Sequence, residues 1–392
     1  MSEIKKLIYL LETPMNERDY KRFGIEILQQ NGYEIQFWDV TPIVCPEDYE
    51  TKLNEPICLE DCILFTSLDD LKVTVSNLDS NYYIICLIAY RLKSFSVYNV
   101  LSKTKLAYCV AMNNALPSAE HKRPSLLYRI KNSNFHQKID FAFNRIPFKW
   151  FGIKPANLVL AGGAVSLTNN TYPIDETTEI LWLHALDYDL YLDELSNPVE
   201  DTSEPGVFLD SYLPFHPDFI RTGSPSPATA DEYYPLLHDF FNRIESTLDT
   251  HMVIAAHPRS RYEDHPNYFG EMPLIRGKTV ELVRRSKFVI THNSTAINLA
   301  VLFRKPIIFV TTDELDRGWM GLDIESLASR FGKSPLNLNE PLSINWEKEL
   351  SVNENAYLKY ENDYIKRSNT QISKFWQIFA DHIREYNDTN KS

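Results

Sequence analysis

Short apolar runs of strand length alternate with segments of helical spacing along most of this chain, and that alternation leaves few folds open. KLIYLLE is followed by NERDYKRFGIEILQQNG, in which Phe23, Ile25, Ile27 and Leu28 keep helical spacing and Gly32 closes the segment. YEIQFWDV is the next strand, with Ile35, Phe37 and Val40 along it. CILFTSL, YYIICLIA and LAYCVAMN read as three further buried strands, with FSVYNVLSK a helix between the last two. ANLVLAGG and EILWLHA add two more before residue 190. This β-α-β rhythm implies a parallel sheet with helices on its faces.

The rhythm restarts near Pro205. GVFLD is a strand, and DEYYPLLHDFFNRIESTL is a helix with an apolar stripe through Tyr234, Leu237, Phe240, Phe241 and Ile244. MVIAAHP, FVITHNS and PIIFVTT are strands, separated by the helical TVELVRRS and TAINLAVLF. A second parallel array follows from the same crossover rules. The expected architecture is therefore α/β, two Rossmann-like domains with a cleft between them. Residues 1–200 form the first domain, 201–350 the second, and 351–392 a terminal helix packing across both. Ligands in such sheets bind outside the carboxyl ends of the strands.

At 392 residues the chain has material for two cores. Its net charge of −13 argues against nucleic acid as a partner, since phosphate backbones demand a basic footprint. Five cysteines confined to the first third suit a reduced, cytoplasmic chain, and Cys58 and Cys62 lack a second pair at zinc spacing. The N-terminal apolar run is too short for a signal peptide, and no stretch has transmembrane length. One segment, 119–151, breaks the pattern. Lys122, Arg123, Arg129, Lys131, Lys138, Arg145 and Lys149 are interleaved there with Tyr128, Phe135, Phe141, Phe143, Phe148 and Trp150. In an acidic chain this suits either an anionic surface or acceptor, such as the inner face of a membrane, or a solvated, irregular insertion.

Two strand ends carry groups suited to an anion. In VIAAHPRS, His257 and Pro258 follow an apolar run; in FVITHNSTAINLAVLF, His292, Asn293, Ser294 and Thr295 do. Free N–H groups at a helix start near Ser294 or Thr295, with two hydroxyls, form a seat for phosphate, although the same residues can simply cap a helix. Pro258 fixes the turn so that His257 projects from the sheet edge. The Walker, dinucleotide and nucleophile-elbow glycine motifs are all absent. Further along, ILWLHALDYDLYL places His184, Asp187 and Asp189 beyond a strand end, and GVFLDSYLPFHPDF places Asp210, His216 and Asp218 beyond another. An acid in such a position can act as base or nucleophile, or merely shape a turn. His216-Pro217 precedes a Pro/Ser-rich stretch and reads as loop. Glu281, opening a short helix, is a candidate for holding a ribose, or a favourable first-turn acid.

His-Pro after one strand and Ser-Thr after the next resembles the donor site of bacterial GT-B glycosyltransferases that use CMP-activated sugars, over roughly 205–315. These include the sialyltransferases and Kdo transferases of lipopolysaccharide and capsule synthesis. The resemblance implies that His257, Ser294 and Thr295 grip the CMP phosphate. The likeness is greatest to the retaining β-Kdo transferases, which implies Asp210 as the attacking nucleophile and Asp187 or Asp189 as positioning a sugar hydroxyl. The expected reaction moves Kdo or a related ulosonic or nonulosonic acid from CMP to a lipid-linked surface glycan, O-antigen or capsule. Neither cofactor nor metal is implied, the CMP-sugar being a substrate; Asp187-Tyr188-Asp189 spells D-x-D, but GT-B enzymes do not use it for metal. AGGAVS lacks the acid expected near the first domain's glycine turn, which leaves the base unassigned, Glu12 after the first strand being one choice. CDP-glycerol or a UDP-sugar is the alternative donor, and a non-catalytic nucleotide-binding module the alternative class.

Overall fold

The computed structural model describes residues 3–51, 56–113, 117, 142–143, 145–168, 171–198, 203–222, 225–341 and 343–389. Most of the basic, aromatic segment 119–151, including Lys122, Arg123, Arg129, Lys131 and Lys138, lies outside them. The chain forms two compact units. The first takes the described residues of 1–115, 124–186 and 367–392, and the second those of 116–123 and 187–366. The chain thus passes between units at 186/187 and 366/367, where the sequence reading divides it at 200/201 and 350/351.

In the first unit β1 (Lys6–Leu11), β2 (Glu34–Asp39), β3 (Cys62–Leu64), β4 (Tyr82–Cys86), β5 (Ala107–Met112), β6 (Leu158–Ala161) and β7 (Glu179–Trp182) form a parallel sheet. Its order is β3-β2-β1-β4-β5-β6-β7. Alternate residues of β1 serve opposite faces. Leu7, Tyr9 and Leu11 enter one core with Ile35, Phe37 and Leu160, while Ile8 and Leu10 enter another with Trp38, Val97 and Val110. Burial on both faces is what makes these strands read as continuous apolar runs. The helix Phe375–Thr389 completes the first of these cores with Phe375, Trp376, Phe379 and Ile383.

In the second unit β8 (Gly206–Leu209), β9 (Met252–Ala256), β10 (Leu274–Arg276), β11 (Phe288–Thr291), β12 (Ile307–Thr311) and β13 (Leu336–Asn337) form another parallel sheet. Its order is β10-β9-β8-β11-β12-β13. Successive strands therefore step away in both directions from the β8/β11 boundary. At such a boundary the connections leave to opposite faces and open a crevice at the carboxyl ends. The helix Ala230–Leu248 buries Tyr233, Tyr234, Leu237, Phe240, Phe241 and Ile244 against one face of this sheet, beside Phe208, Ile254 and Ile290. The edge strands β10 and β13, three and two residues long, carry no periodic signal of their own.

Candidate functional site

The crevice at the β8/β11 boundary is a cavity of about 510 Å³. Residues following three neighbouring strands supply its polar lining: Ser211, His216 and Asp218 after β8, His257 after β9, and Asn293, Ser294 and Thr295 after β11. Leu213, Phe219, Trp319 and Met320 supply the apolar part. The structure thus brings together His257, Ser294 and Thr295 and adds His216-Pro217, the second His-Pro pair. The signal was present in its spelling and in its position just past a strand.

Asp210 explains how the two His-Pro turns meet. Its N–H donates to Ala255 O (3.2 Å), extending the β8–β9 pairing by one residue. Its carboxylate accepts the Tyr212 N–H at Oδ1 (2.8 Å) and the His257 N–H at Oδ2 (3.1 Å). The side chain is 3% exposed and lies behind the cavity wall, while its neighbour Ser211 lines the cavity. Burial pushes the carboxyl up to about 6; the Tyr212 and His257 amides and the Tyr262 hydroxyl offset only part of that cost. Tyr212 adopts φ 52°, a left-handed turn that redirects the chain toward His216.

The two imidazoles are near neighbours, with ring centroids 4.8 Å apart at 63°. His257 Nδ1 accepts the Arg259 N–H (3.2 Å), so a neutral ring carries its proton on Nε2. Arg259 forms a two-pronged pair with Asp218 (3.0 and 3.1 Å) and reaches His216 Nε2 at 3.3 Å. The Asp218 N–H faces His216 Nδ1 at the same distance. A neutral ring satisfies one of these donors; the charged guanidinium is the stronger, which leaves the proton on Nδ1. Burial lowers the His216 pKa, Asp218 opposes that and Arg259 adds to it.

At β11 the structure departs from expectation. The helix begins at Ile297, not Ser294, and runs only to Leu302. Ser294 and Thr295 sit in the turn before it, and Ser294 Oγ accepts the Ala296 N–H (3.3 Å). Their hydroxyls face the cavity without the support of a long helix. His292 is fully buried: Nδ1 donates to Val310 O (2.7 Å) and Nε2 accepts from the Tyr233 hydroxyl (2.8 Å). Burial takes its pKa down to about 4, so it is a neutral core histidine.

Four other sequence candidates lie away from this cavity. Asp187 accepts from Asn298 Nδ2 (2.9 Å), and Asn298 accepts from the Tyr360 hydroxyl (3.3 Å), a buried network at the start of the helix Asp187–Leu195. Asp189 is half-buried in the first turn of that helix. Glu281 pairs with Lys278 (3.4 Å) on the exposed face of the helix Thr279–Arg285. In the first unit Glu12, just past β1, accepts the Ala89 N–H (3.3 Å) and lines a separate cavity of about 100 Å³ with Thr13, Met15 and Asp19. Among the described residues no three His, Cys, Asp or Glu side chains cluster as metal ligands.

No protein-family model matches this sequence, and no curated protein matches it. Solved structures do match its fold. The wall teichoic acid polymerase TagF aligns over 99% of this chain and 90% of its own, with a TM-score of 0.55 at 12% identity. The calicheamicin glycosyltransferase CalG4 aligns over 100% and 98%, with a TM-score of 0.50 at 10% identity. UDP-bound MnaA from S. aureus aligns over 98% and 97%, with a TM-score of 0.50 at 11% identity. The fold is α/β of the GT-B class.

Proposed function

We propose that this chain is a GT-B glycosyltransferase whose nucleotide-activated donor seats its phosphate against His257, Ser294 and Thr295. The observation that carries this is their convergence in one cavity at the β8/β11 boundary. The His257 Nε2–H and the two hydroxyls present donors to an anion without needing a metal. Negative charge grows on the phosphate as the sugar–oxygen bond breaks, so donors fixed beforehand stabilise the transition state more than the ground state. Asp210 serves here by holding the His257 turn. To attack a sugar, its carboxylate would have to leave two backbone N–H groups and emerge from behind the wall.

The donor we propose is a CMP-activated ulosonic or nonulosonic acid of the Kdo type, supported by the order His-Pro then Ser-Thr across the second sheet. The acceptor is a lipid-linked bacterial surface glycan, and the basic, aromatic segment 119–151 supports contact with an anionic membrane face. CDP-glycerol is the second reading, favoured by the fold match to TagF, a variant of which was soaked with CDPG. Both readings share a cytidine nucleotide.

Thermal unfolding with CMP, CDP, UDP, ADP and GDP, on the wild type and His257→Ala, tests the site. A ligand at a hundred times its Kd adds about 2.7 kcal/mol. The expected result is stabilisation by CMP or CDP, with affinity about 10- to 100-fold weaker in the variant, as for a lost hydrogen bond to a charged group. Preference for UDP would replace the donor. No response to any nucleotide would remove the nucleotide reading.

A further inference from the structure

Trp319 opens the helix Trp319–Arg330 and lines the cavity, yet its surface is 55% exposed. A large aromatic side chain left this open beside an anion-binding wall needs a reason, because its burial would be worth several kcal/mol to the fold. Its backbone, by contrast, is held firmly. The preceding helix Asp313–Arg317 is capped by Thr312 Oγ1, which accepts the Leu315 N–H (3.3 Å). Asp316 accepts from Thr311 Oγ1 (2.6 Å) and Asn337 Nδ2 (3.1 Å), tying that helix to β12 and β13. Gly321 packs so closely that a Cβ there would lie 2.6 Å from Asp316 Cα. Met320, next in the chain, is 3% exposed and anchors the turn in the core. A rigid backbone therefore presents an open indole.

The indole shares one cavity with the polar groups of the carboxyl edge. Along the carboxyl edge the chain supplies His257 after β9, His216 after β8, Ser294 and Thr295 after β11, and Trp319 beyond β12. A cavity of about 510 Å³ has room for a phosphate at the histidine and hydroxyl positions and a flat ring beside the indole. We propose that Trp319 is the platform on which the nucleobase of the donor stacks. This rests on the nucleotide reading of the cavity and extends it from the phosphate to the base. Every base has a π face, so stacking here contributes affinity for nucleotides in general and leaves the choice among bases to other groups.

Binding of CMP, UMP and inorganic pyrophosphate to the wild type, Trp319→Ala, Trp319→Phe and His257→Ala, followed by calorimetry, tests this. Trp319→Ala is expected to weaken CMP and UMP alike by about 5- to 100-fold, the worth of one base–aromatic stack. Trp319→Phe should recover most of that loss, and both variants should bind pyrophosphate as the wild type does. His257→Ala should weaken pyrophosphate and CMP together. Unchanged CMP binding in Trp319→Ala would overturn the platform and leave the phosphate site standing. Equal losses for CMP and pyrophosphate in Trp319→Ala would also overturn it, because the indole would then act on the phosphate end. If the wild type binds neither nucleotide, the platform and the donor reading fall together.

Discussion

Asp210 sits where burial and hydrogen bonding pull its proton in opposite directions. Burial wins, and the folded pKa rises to about 6 from an unfolded value of 3.8. The sign follows from linkage. Between those values the folded state holds a proton that the unfolded state has lost, so its stabilising effect is full below pH 3.8 and is lost as pH rises through 6. The difference amounts to about 3 kcal/mol at 1.36 kcal/mol per pH unit. Urea unfolding of the wild type and Asp210→Asn from pH 4 to 7 isolates it, since other titrating groups cancel between the two. The wild type should lose stability relative to the variant as pH rises. A flat difference would mean that the two backbone N–H groups fully compensate burial, and that the carboxyl titrates alike in the folded and unfolded chain.

Gly24 shows what a single residue does to an element. The run NERDYKRFGIEILQQNG reads as one helix, but the structure breaks it into Glu17–Arg22 and Ile25–Gln30 around Gly24, at φ +62°. Trp376 of the terminal helix fills the break, so close that a Cβ on Gly24 would lie 2.2 Å from its ring, and the indole N–H donates to Arg22 O (3.0 Å). Gly24→Ala combines left-handed strain of about 1–2 kcal/mol with overpacking of about 1–3 kcal/mol. The first unit should therefore unfold at markedly lower urea; an unchanged midpoint would show that Trp376 can move aside freely. Elements of this kind were legible in sequence only as far as their patterns are local. Strands buried on both faces announced themselves, and so did His257 at the end of one. His216 was visible as a second His-Pro pair but read as loop, because its place beside His257 depends on β8 pairing with β9 across more than forty intervening positions. Trp319 was invisible for the same reason: nothing near it in sequence marks the cavity it lines. The helix start at Ile297 was misplaced because Ser294 and Thr295 have the chemistry of caps while the chain spends them in a turn.

The doubled β-α-β rhythm reflects two sheets, and each places its own cavity where strand order reverses: His257 and its partners at β8/β11, Glu12 near β1 and β4. The tail, residues 367–392, belongs to the first unit. Phe375, Trp376, Phe379 and Ile383 enter its core, the Tyr33 hydroxyl donates to Ala380 O (3.2 Å), and Asn387 exchanges two hydrogen bonds with the backbone of Ile4 (2.8 and 3.0 Å). Three of those side chains are aromatic, and uncovering their places costs about 3 kcal/mol or more for each. That sum rivals the whole stability of an ordinary domain, about 5–15 kcal/mol. A chain ending at Lys366 should therefore lose the first unit and keep the second, whose cavity, among the described residues, is lined from Ser211 to Met320. Limited proteolysis should then cut quickly between residues 3 and 113, while any nucleotide that protects the whole chain should still protect the fragment that carries β8 to β13. If the truncated chain resisted cleavage in its first unit, the terminal helix would be an accessory to that core. If it lost nucleotide protection as well, the second unit would depend on the first for its fold, and the cavity could not be treated as self-sufficient.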